Sequence, residues 1–281
     1  MEVLAHTVLD ARDAGAARDG EPTRVWLLHG ILGSGRNWRS FARRMQSKRP
    51  DLQVVLVDLR AHGDSGHMSP PHTLSACVQD IVSLADLLGY PDVLCGHSFG
   101  GKVALLAGAA ADGAIAQAWS LDSPPGLGPT VPGEIDAVIS ALRRFEMPVQ
   151  RREEVRDGLV SLGFSDMLAN WMTTNLVRRP PATGLFWRFD LDAIEALLQS
   201  YFETDVWPVL EGSALPFARR VLRAARSSRF SREDTVRLDA ASHSSNVSSE
   251  VLADAGHWLH VDNPAGLLQW CLRWLPVPKQ L

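Results

Sequence analysis

The sequence lacks several features that would assign it to common functional classes. Basic residues are not in excess, because 28 Lys and Arg stand against 32 Asp and Glu and give a formal net charge of −4. We therefore expect no nucleic acid partner and no binding to anionic lipid. No apolar stretch approaches the ~20 residues that span a bilayer, so we expect no integral membrane segment. The first twenty residues also lack the basic start and long apolar run of a secretory signal, which favours a soluble intracellular protein of the cytoplasm or an organelle such as a plastid.

Cysteine and clustered metal ligands are scarce as well. Cys77, Cys95 and Cys271 are an odd number of cysteines without a Cys-x-x-Cys spacing. This pattern argues against a disulfide framework and a cysteine zinc site, and it favours a reducing compartment. His257 and His260 stand three residues apart without a third ligand nearby. We therefore expect no metal.

What the chain does contain is an alternation of short apolar runs with longer amphipathic ones. This rhythm is typical of βαβ units, and it predicts an α/β fold with a mostly parallel central sheet flanked by helices. The run "SPPGLGPTVPG" over 123–133 interrupts the alternation, and the segment that follows is helical in pattern without a convincing strand. The sequence therefore predicts a core made of 1–125 and 213–281, with a helical domain over 126–212 between its two parts.

The stretch "VLCGHSFGGKVALLAGAA" changes from an apolar strand to an alanine-rich helix around Ser98. Gly96 and Gly100 occupy the outer positions of a Gly-x-Ser-x-Gly pentapeptide, which alone is a weak motif. Placed between a strand and a helix, it predicts a sharp turn that exposes the serine and aims the amides of the helix N-terminus at it. We therefore interpret Ser98 as a nucleophile rather than as a serine of a plain turn.

Two further segments supply the groups that a nucleophilic serine needs. "LLHGILGSG" follows an earlier strand, and there the amide of Ile31 can stabilise an oxyanion together with the amide of Phe99. "DAGHWLHVDNP" follows the last predicted strand and presents His257 as the base, with His260 as its rival. His29 is predicted to fix the loop by a hydrogen bond.

These segments carry a resemblance to a known family. "HGILGS", "DLRAHGDS", "GHSFGGK" and "AGHWLHVDNP" resemble, in order and spacing, the motifs of the α/β-hydrolases that bear a cap, the esterase and lipase type. The similarity is greatest to small intracellular esterases with relatives in bacteria, mitochondria and plant plastids. It implies an α/β-hydrolase fold with a helical cap after the sixth strand, and Ser98 as nucleophile with His257 as base. It also implies the Ile31 and Phe99 amides as oxyanion hole, and no cofactor.

The acid of the catalytic triad stays open between two positions. In much of the family an Asp follows the penultimate strand, but here that place holds serines, and Glu233 and Asp234 come several residues later. The other geometry known in the superfamily places the acid after the strand that follows the nucleophile's helix, where "AWSLDSPPG" has Asp122. We favour Asp122, because it leaves the carboxyl end of a parallel strand. A water-supported dyad or Asp254 are the remaining alternatives.

The predicted reaction is hydrolysis of a carboxylic ester or thioester with a hydrophobic acyl group, through an acyl-enzyme intermediate. We expect five residues to contact this small-molecule substrate: Gly30, Leu32, Trp171, Trp187 and Trp258. Two alternative functions stay open. "HGILGSGRNW" is similar to carbon–carbon bond hydrolases and lyases on the same scaffold, and a ligand receptor could keep the hydrolase fold without activity.

Overall fold

The central element of the molecule is a seven-stranded sheet. The computed structural model describes residues 2–10, 21–128, 133–212, 215–243 and 246–277. The strands of the sheet are β1 (His6–Asp10), β2 (Thr23–Leu28), β3 (Leu52–Val57), β4 (Val93–His97), β5 (Gln117–Leu121), β8 (Ala218–Ala224) and β9 (Val247–Leu252). They lie in the order β1-β3-β2-β4-β5-β8-β9, and every pairing is parallel except that of β1 with β3. The predicted mostly parallel sheet is thereby confirmed.

Helices cover both faces of this sheet. Around the strands they are α1 (Arg39–Lys48), α2 (Leu74–Leu88), α3 (Phe99–Ala110), α9 (Arg232–Ala241), α10 (Leu259–Asp262) and α11 (Pro264–Trp274). The apolar side chains of α1 and α11 share one core cluster, and those of α2 and α3 share another. Because both faces are covered, β4 is buried along its whole length and needs no alternation of polar and apolar residues.

The helix boundaries follow signals that the sequence displays. Thr73 caps α2, since its side-chain oxygen accepts a hydrogen bond from the amide of Ala76. Gly89 ends the same helix with φ of 86°, a backbone conformation that suits glycine. β5 precedes Asp122 and α3 follows Ser98, where the apolar pattern predicts a strand and a helix.

The segment between β5 and β8 is mainly helical. It contains α4 (Glu134–Leu142), α5 (Arg152–Ser161), α6 (Asp166–Thr173), β6 (Leu176–Val177), β7 (Phe186–Trp187), α7 (Leu191–Glu203) and α8 (Trp207–Glu211). The antiparallel ribbon of β6 and β7 is absent from the sequence-based prediction, because strands of two residues have no periodicity to recognise.

The position of this helical segment in the strand order is known for the described residues. Among them only β1 precedes β2, so the segment follows the fifth described strand, and its place after the sixth strand of the chain stays a prediction. Residues 11–20 lie outside the described residues. The antiparallel strand β1 was itself not predicted, since "HTVLD" is short and half-exposed.

The parallel strands position the candidate site at their carboxyl ends. His29 and Gly30 follow β2, Ser98 follows β4, and Asp122 follows β5. Since carboxyl ends of adjacent parallel strands meet at one edge of a sheet, these residues converge although they are far apart in sequence. Across the described part of the chain, none of the helices is both long and apolar enough to cross a membrane.

Candidate active site

Ser98 lies at the sharp turn between β4 and α3 in a strained backbone conformation. Its φ of 52° and ψ of −119° are unfavourable for a residue with a side chain. The turn is held by the Ser98 amide, which donates to the carbonyl oxygen of Leu121 at 2.9 Å. It also requires glycine nearby, because a Cβ added at Gly96 would lie 1.8 Å from the carbonyl oxygen of Gly100. The local geometry therefore exposes a serine hydroxyl at the sheet edge, as the motif predicts.

His257 and Asp122 meet beside this turn. His257 Nδ1 lies 2.7 Å from Asp122 Oδ2, a hydrogen bond in which the imidazole N–H donates. The Asp122 side chain is fully buried, and its other oxygen accepts from the amide of Ala224 at 3.0 Å. The carboxylate is thus fixed by two donors from different parts of the chain. This leaves His257 Nε2 as the ring atom available to a neighbouring hydroxyl.

The rival acids are not hydrogen-bonded to His257. Asp234 Oδ2 accepts from the amide and hydroxyl of Ser231, so this carboxylate caps α9. Glu233 stands exposed in the first turn of the same helix. Asp254 is exposed too, and its carbonyl oxygen accepts from Arg226. Of these carboxylates, Asp122 is the one hydrogen-bonded to His257.

The loop after β2 lies close to the serine. A Cβ added at Gly30 would lie 3.3 Å from Ser98 Cβ, so the absence of a side chain here allows the close approach. Among the hydrogen bonds of the described residues, none uses the amides of Ile31 or Phe99. Both amides are therefore available to an external oxygen, as the oxyanion-hole prediction requires.

Two buried histidines hold this loop. His29 Nε2 accepts from the amide of Leu59, and His62 Nε2 accepts from the amide of Leu32, both at 3.0 Å. Each ring donates from Nδ1 to a nearby carbonyl oxygen. Burial lowers the pKa of His29 to about 4 and that of His62 to about 3, so both rings are neutral at pH 7. The predicted loop-fixing role of His29 is confirmed.

His260 and His97 surround His257 without taking its place. Burial lowers the pKa of His260 to about 4, and its ring lies 4.6 Å from that of Trp38. His97 Nε2 donates to the carbonyl oxygen of His257 at 2.6 Å, and the two rings are 4.7 Å apart. His97 thereby orients the His257 loop. The sequence contained no signal for this role, because the two residues are 160 positions apart.

A cavity of about 1350 Å³ opens over these residues. Its lining includes Gly30, Ile31, Ser98, Phe99 and His257 from the core, with Trp171 and Trp258. The two tryptophan rings meet edge to face, with centroids 4.8 Å apart. Three apolar side chains of the helical segment, Ile135, Leu168 and Leu198, add to the lining. The cavity thus places apolar side chains above Ser98, His257 and the amides of Ile31 and Phe99.

Two predicted substrate contacts do not reach this cavity. Leu32 is fully buried in the core, with φ of 61°, and its carbonyl oxygen accepts from the Asn175 side chain of the helical segment. Trp187 is turned into the helical segment, where its ring stacks on Phe189 at 5.3 Å. Both predictions are wrong, because each side chain fills core space instead of the cavity.

No group of three or more possible metal-ligating side chains occurs within the described ranges. Cys77, Cys95 and Cys271 are buried and unpaired.

Known proteins resemble this chain in sequence and in fold. A family model described as the alpha/beta hydrolase family matches residues 27–270. The sn-1-specific diacylglycerol lipase ABHD11 of Mus musculus is 29% identical over 255 residues, which are 88% of this chain and 79% of the mouse protein. Lipase LipV of Mycobacterium tuberculosis is 30% identical over 71% of this chain and 74% of its own length. The solved structure of a marine microorganism esterase has a TM-score of 0.80 at 22% identity, covering 97% of this chain and 99% of the esterase.

Proposed function

The chain belongs to the alpha/beta hydrolase family, and from that premise we propose that it is a serine hydrolase that cleaves carboxylic esters of hydrophobic acyl groups. The observation that carries the proposal is the hydrogen bond of 2.7 Å between His257 Nδ1 and Asp122 Oδ2. It orients an imidazole at the same edge of the sheet that presents Ser98. The lipases among the relatives support the same reaction class.

In the proposed mechanism His257 Nε2 accepts the proton of Ser98 as its oxygen attacks the ester carbonyl. Asp122 keeps the other ring nitrogen protonated and stabilises the imidazolium that forms. The amides of Ile31 and Phe99 donate to the oxyanion of the tetrahedral intermediate, and loss of one such donor typically lowers kcat by about 10²–10³. His257 then gives its proton to the leaving alcohol, and in a second round it activates the water that releases the acid.

The cavity supports a hydrophobic acyl group as substrate. Apolar side chains from the core and from the helical segment line one chamber above Ser98, and ligand sites often lie between such units. We infer that residues 126–212 act as a cap that selects the acyl chain. Trp171 and Trp258, whose rings meet at the cavity, are the proposed aromatic contacts. A thioester forms the same acyl-enzyme as the corresponding ester, so the proposal includes thioesters.

We place the protein in a reducing compartment inside the cell or an organelle. Its three thiols are buried and unpaired, a state that a reducing environment maintains.

A panel of p-nitrophenyl esters with acyl chains from two to twelve carbons tests this function. We expect wild type to hydrolyse them with a preference for medium chains, and Ser98→Ala to fall to the rate of the background reaction. Ser161→Ala is the matched control, because Ser161 is exposed and its hydroxyl donates to the carbonyl oxygen of Asp157, away from the cavity. A matching acyl-coenzyme A series decides between esters and thioesters. Wild type that hydrolyses no member of either series would refute the proposal.

A further inference from the structure

Lys102 is a buried lysine one helical turn after Ser98. Its side chain is only 1% exposed. The ammonium donates to three backbone carbonyl oxygens: those of Gly126 at 2.6 Å, Tyr201 at 2.9 Å and Thr204 at 2.7 Å. All three donors of the Nζ group are therefore used. Burying an ammonium without hydrogen-bond partners would be costly, so the three carbonyl oxygens hold the Lys102 side chain in one position.

The three carbonyls come from the start of the helical segment and from the C-terminal end of α7. Gly126 stands where the segment begins, whereas Tyr201 and Thr204 stand at the end of α7. Carbonyls at a helix C-terminus have no partner within the helix and carry its partial negative charge, so a cation is favourable there. Lys102 supplies that cation from a different helix, α3.

The start of the segment and the end of α7 are also hydrogen-bonded to each other. The Gly128 amide donates to the carbonyl oxygen of Phe202 at 2.7 Å, and the Val206 amide donates to that of Pro125 at 2.8 Å. We call residues 125–128 together with 201–206 the stem. Lys102 lies at the stem and connects it to the helix that begins at the nucleophile.

Tyr201 extends this connection into the cavity. Its ring lies 4.4 Å from Lys102 Nζ, in a cation–π arrangement. Its hydroxyl lies 3.2 Å from the hydroxyl of Ser123, which follows Asp122, and its ring is 5.7 Å from that of Phe99. One tyrosine of the stem thus contacts the loop of the proposed acid and the residue of a proposed oxyanion donor.

We propose that Lys102 is a positioning residue that fixes the stem, and through it the Tyr201 wall of the cavity, against the nucleophile's helix. Lys102 does not line the cavity; it acts through Tyr201 and the stem. The inference depends on the proposed ester hydrolysis, since the cavity wall matters only when an acyl chain occupies it. Loss of Lys102 should therefore weaken the binding of long acyl chains, which contact the cavity wall, more than the binding of an acetyl group.

The test compares Lys102→Met with wild type on p-nitrophenyl acetate and p-nitrophenyl octanoate. We expect KM for the octanoate ester to rise tenfold or more, while kcat with the acetate ester changes less than threefold. Lys102→Gln, which keeps two donors, should give a smaller rise. Lys48→Met, at an exposed helix end, is the matched control and should change neither constant.

A purely structural role predicts a different result. A variant with less folded protein loses apparent kcat equally on both esters and keeps KM, and that outcome would overturn the proposal. Failure of both Lys102 variants to fold would overturn it as well, because Lys102 would then serve the whole fold. If wild type itself cleaves neither ester, the proposed function fails, but amide hydrogen exchange of the stem still tests the role of Lys102. If the amides of 125–128 and 201–206 exchange no faster in Lys102→Met than in wild type, Lys102 does not fix the stem.

Discussion

Asp122 holds its carboxylate between an imidazole N–H and a backbone amide, with no exposure to solvent. A carboxylate in this position fixes the tautomer of His257, whereas the carboxylate of Asp234 caps α9. The two residues are therefore separable by mutation, although the sequence leaves both open as the acid.

Replacement of these carboxylates by amides is the first prediction. Asp122→Asn should lower kcat by about 10³–10⁴, because the amide favours the wrong tautomer of His257. Asp234→Asn should change kcat less than threefold and lower the free energy of unfolding by about 1 kcal/mol or less. Steady-state hydrolysis of p-nitrophenyl butyrate and urea unfolding measure both. Equal small effects on kcat would exclude Asp122 as the acid.

Lys102 gives a prediction for alkaline pH. Burial lowers its pKa to about 8, while the carboxylates of Asp205 and Asp234 oppose the shift. Between about pH 8 and 10.5 the unfolded chain keeps this proton and the folded chain loses it, so the contribution of Lys102 to stability increases as pH rises. The stability of wild type relative to Lys102→Met should increase by up to about 1.4 kcal/mol per pH unit in this window. Urea unfolding of both proteins measures it, and a difference that falls with pH would contradict the assignment.

At the scale of elements, the turn between β4 and α3 depends on close backbone approaches. A Cβ added at Gly100 would lie 2.6 Å from the carbonyl oxygen of His29, at the end of β2. Neither backbone can yield without moving the loop after β2 relative to Ser98. Strand, turn and loop therefore form one rigid unit.

Gly100→Ala tests this rigidity. We expect it to lower the free energy of unfolding by about 2 kcal/mol or more and kcat by more than tenfold, because the clash is with backbone. Gly133→Ala is the matched control: the nearest atom to its added Cβ is 3.9 Å away, so less than about 1 kcal/mol should be lost. Urea unfolding and ester hydrolysis provide the measurements. A Gly100→Ala enzyme with normal kcat would show that the turn tolerates displacement.

The sequence predicted elements where local patterns are strong. Thr73, Gly89 and the glycines around Ser98 mark helix ends and the turn, and their signals are local in the chain. The ribbon of β6 and β7 and the contact of His97 with His257 were missed, because each depends on residues that only the tertiary structure brings together. Leu32 and Trp187 were misplaced for the same reason: the residue type does not tell which way an apolar side chain points.

At the scale of the whole molecule, several histidines are neutral because they are buried or half-buried. Burial lowers the pKa of His29 and His260 to about 4 and that of His62 to about 3. Each binds a proton near pH 6.5 when the chain unfolds. Between pH 6.5 and 4 the unfolded state therefore binds more protons, and stability that is present above pH 6.5 is lost as the pH falls.

The free energy of unfolding should accordingly fall steeply on acidification. From pH 7 to pH 5 we expect a loss of roughly 2 kcal/mol for each of these three histidines. Native domains have only about 5–15 kcal/mol of stability in all, so the molecule should approach unfolding near pH 5. Urea titrations at the two pH values measure the loss. A decrease below about 1 kcal/mol would mean that these rings are protonated in the folded state.

The most direct measurement is the mass of the enzyme during turnover. Wild type is mixed with excess p-nitrophenyl octanoate, quenched in acid within the first turnover and analysed by intact-protein and peptide mass spectrometry. The account predicts one octanoyl group, located on Ser98, and none in Ser98→Ala. Rapid ester hydrolysis with no acyl group on Ser98, or with the group on another residue, would contradict it.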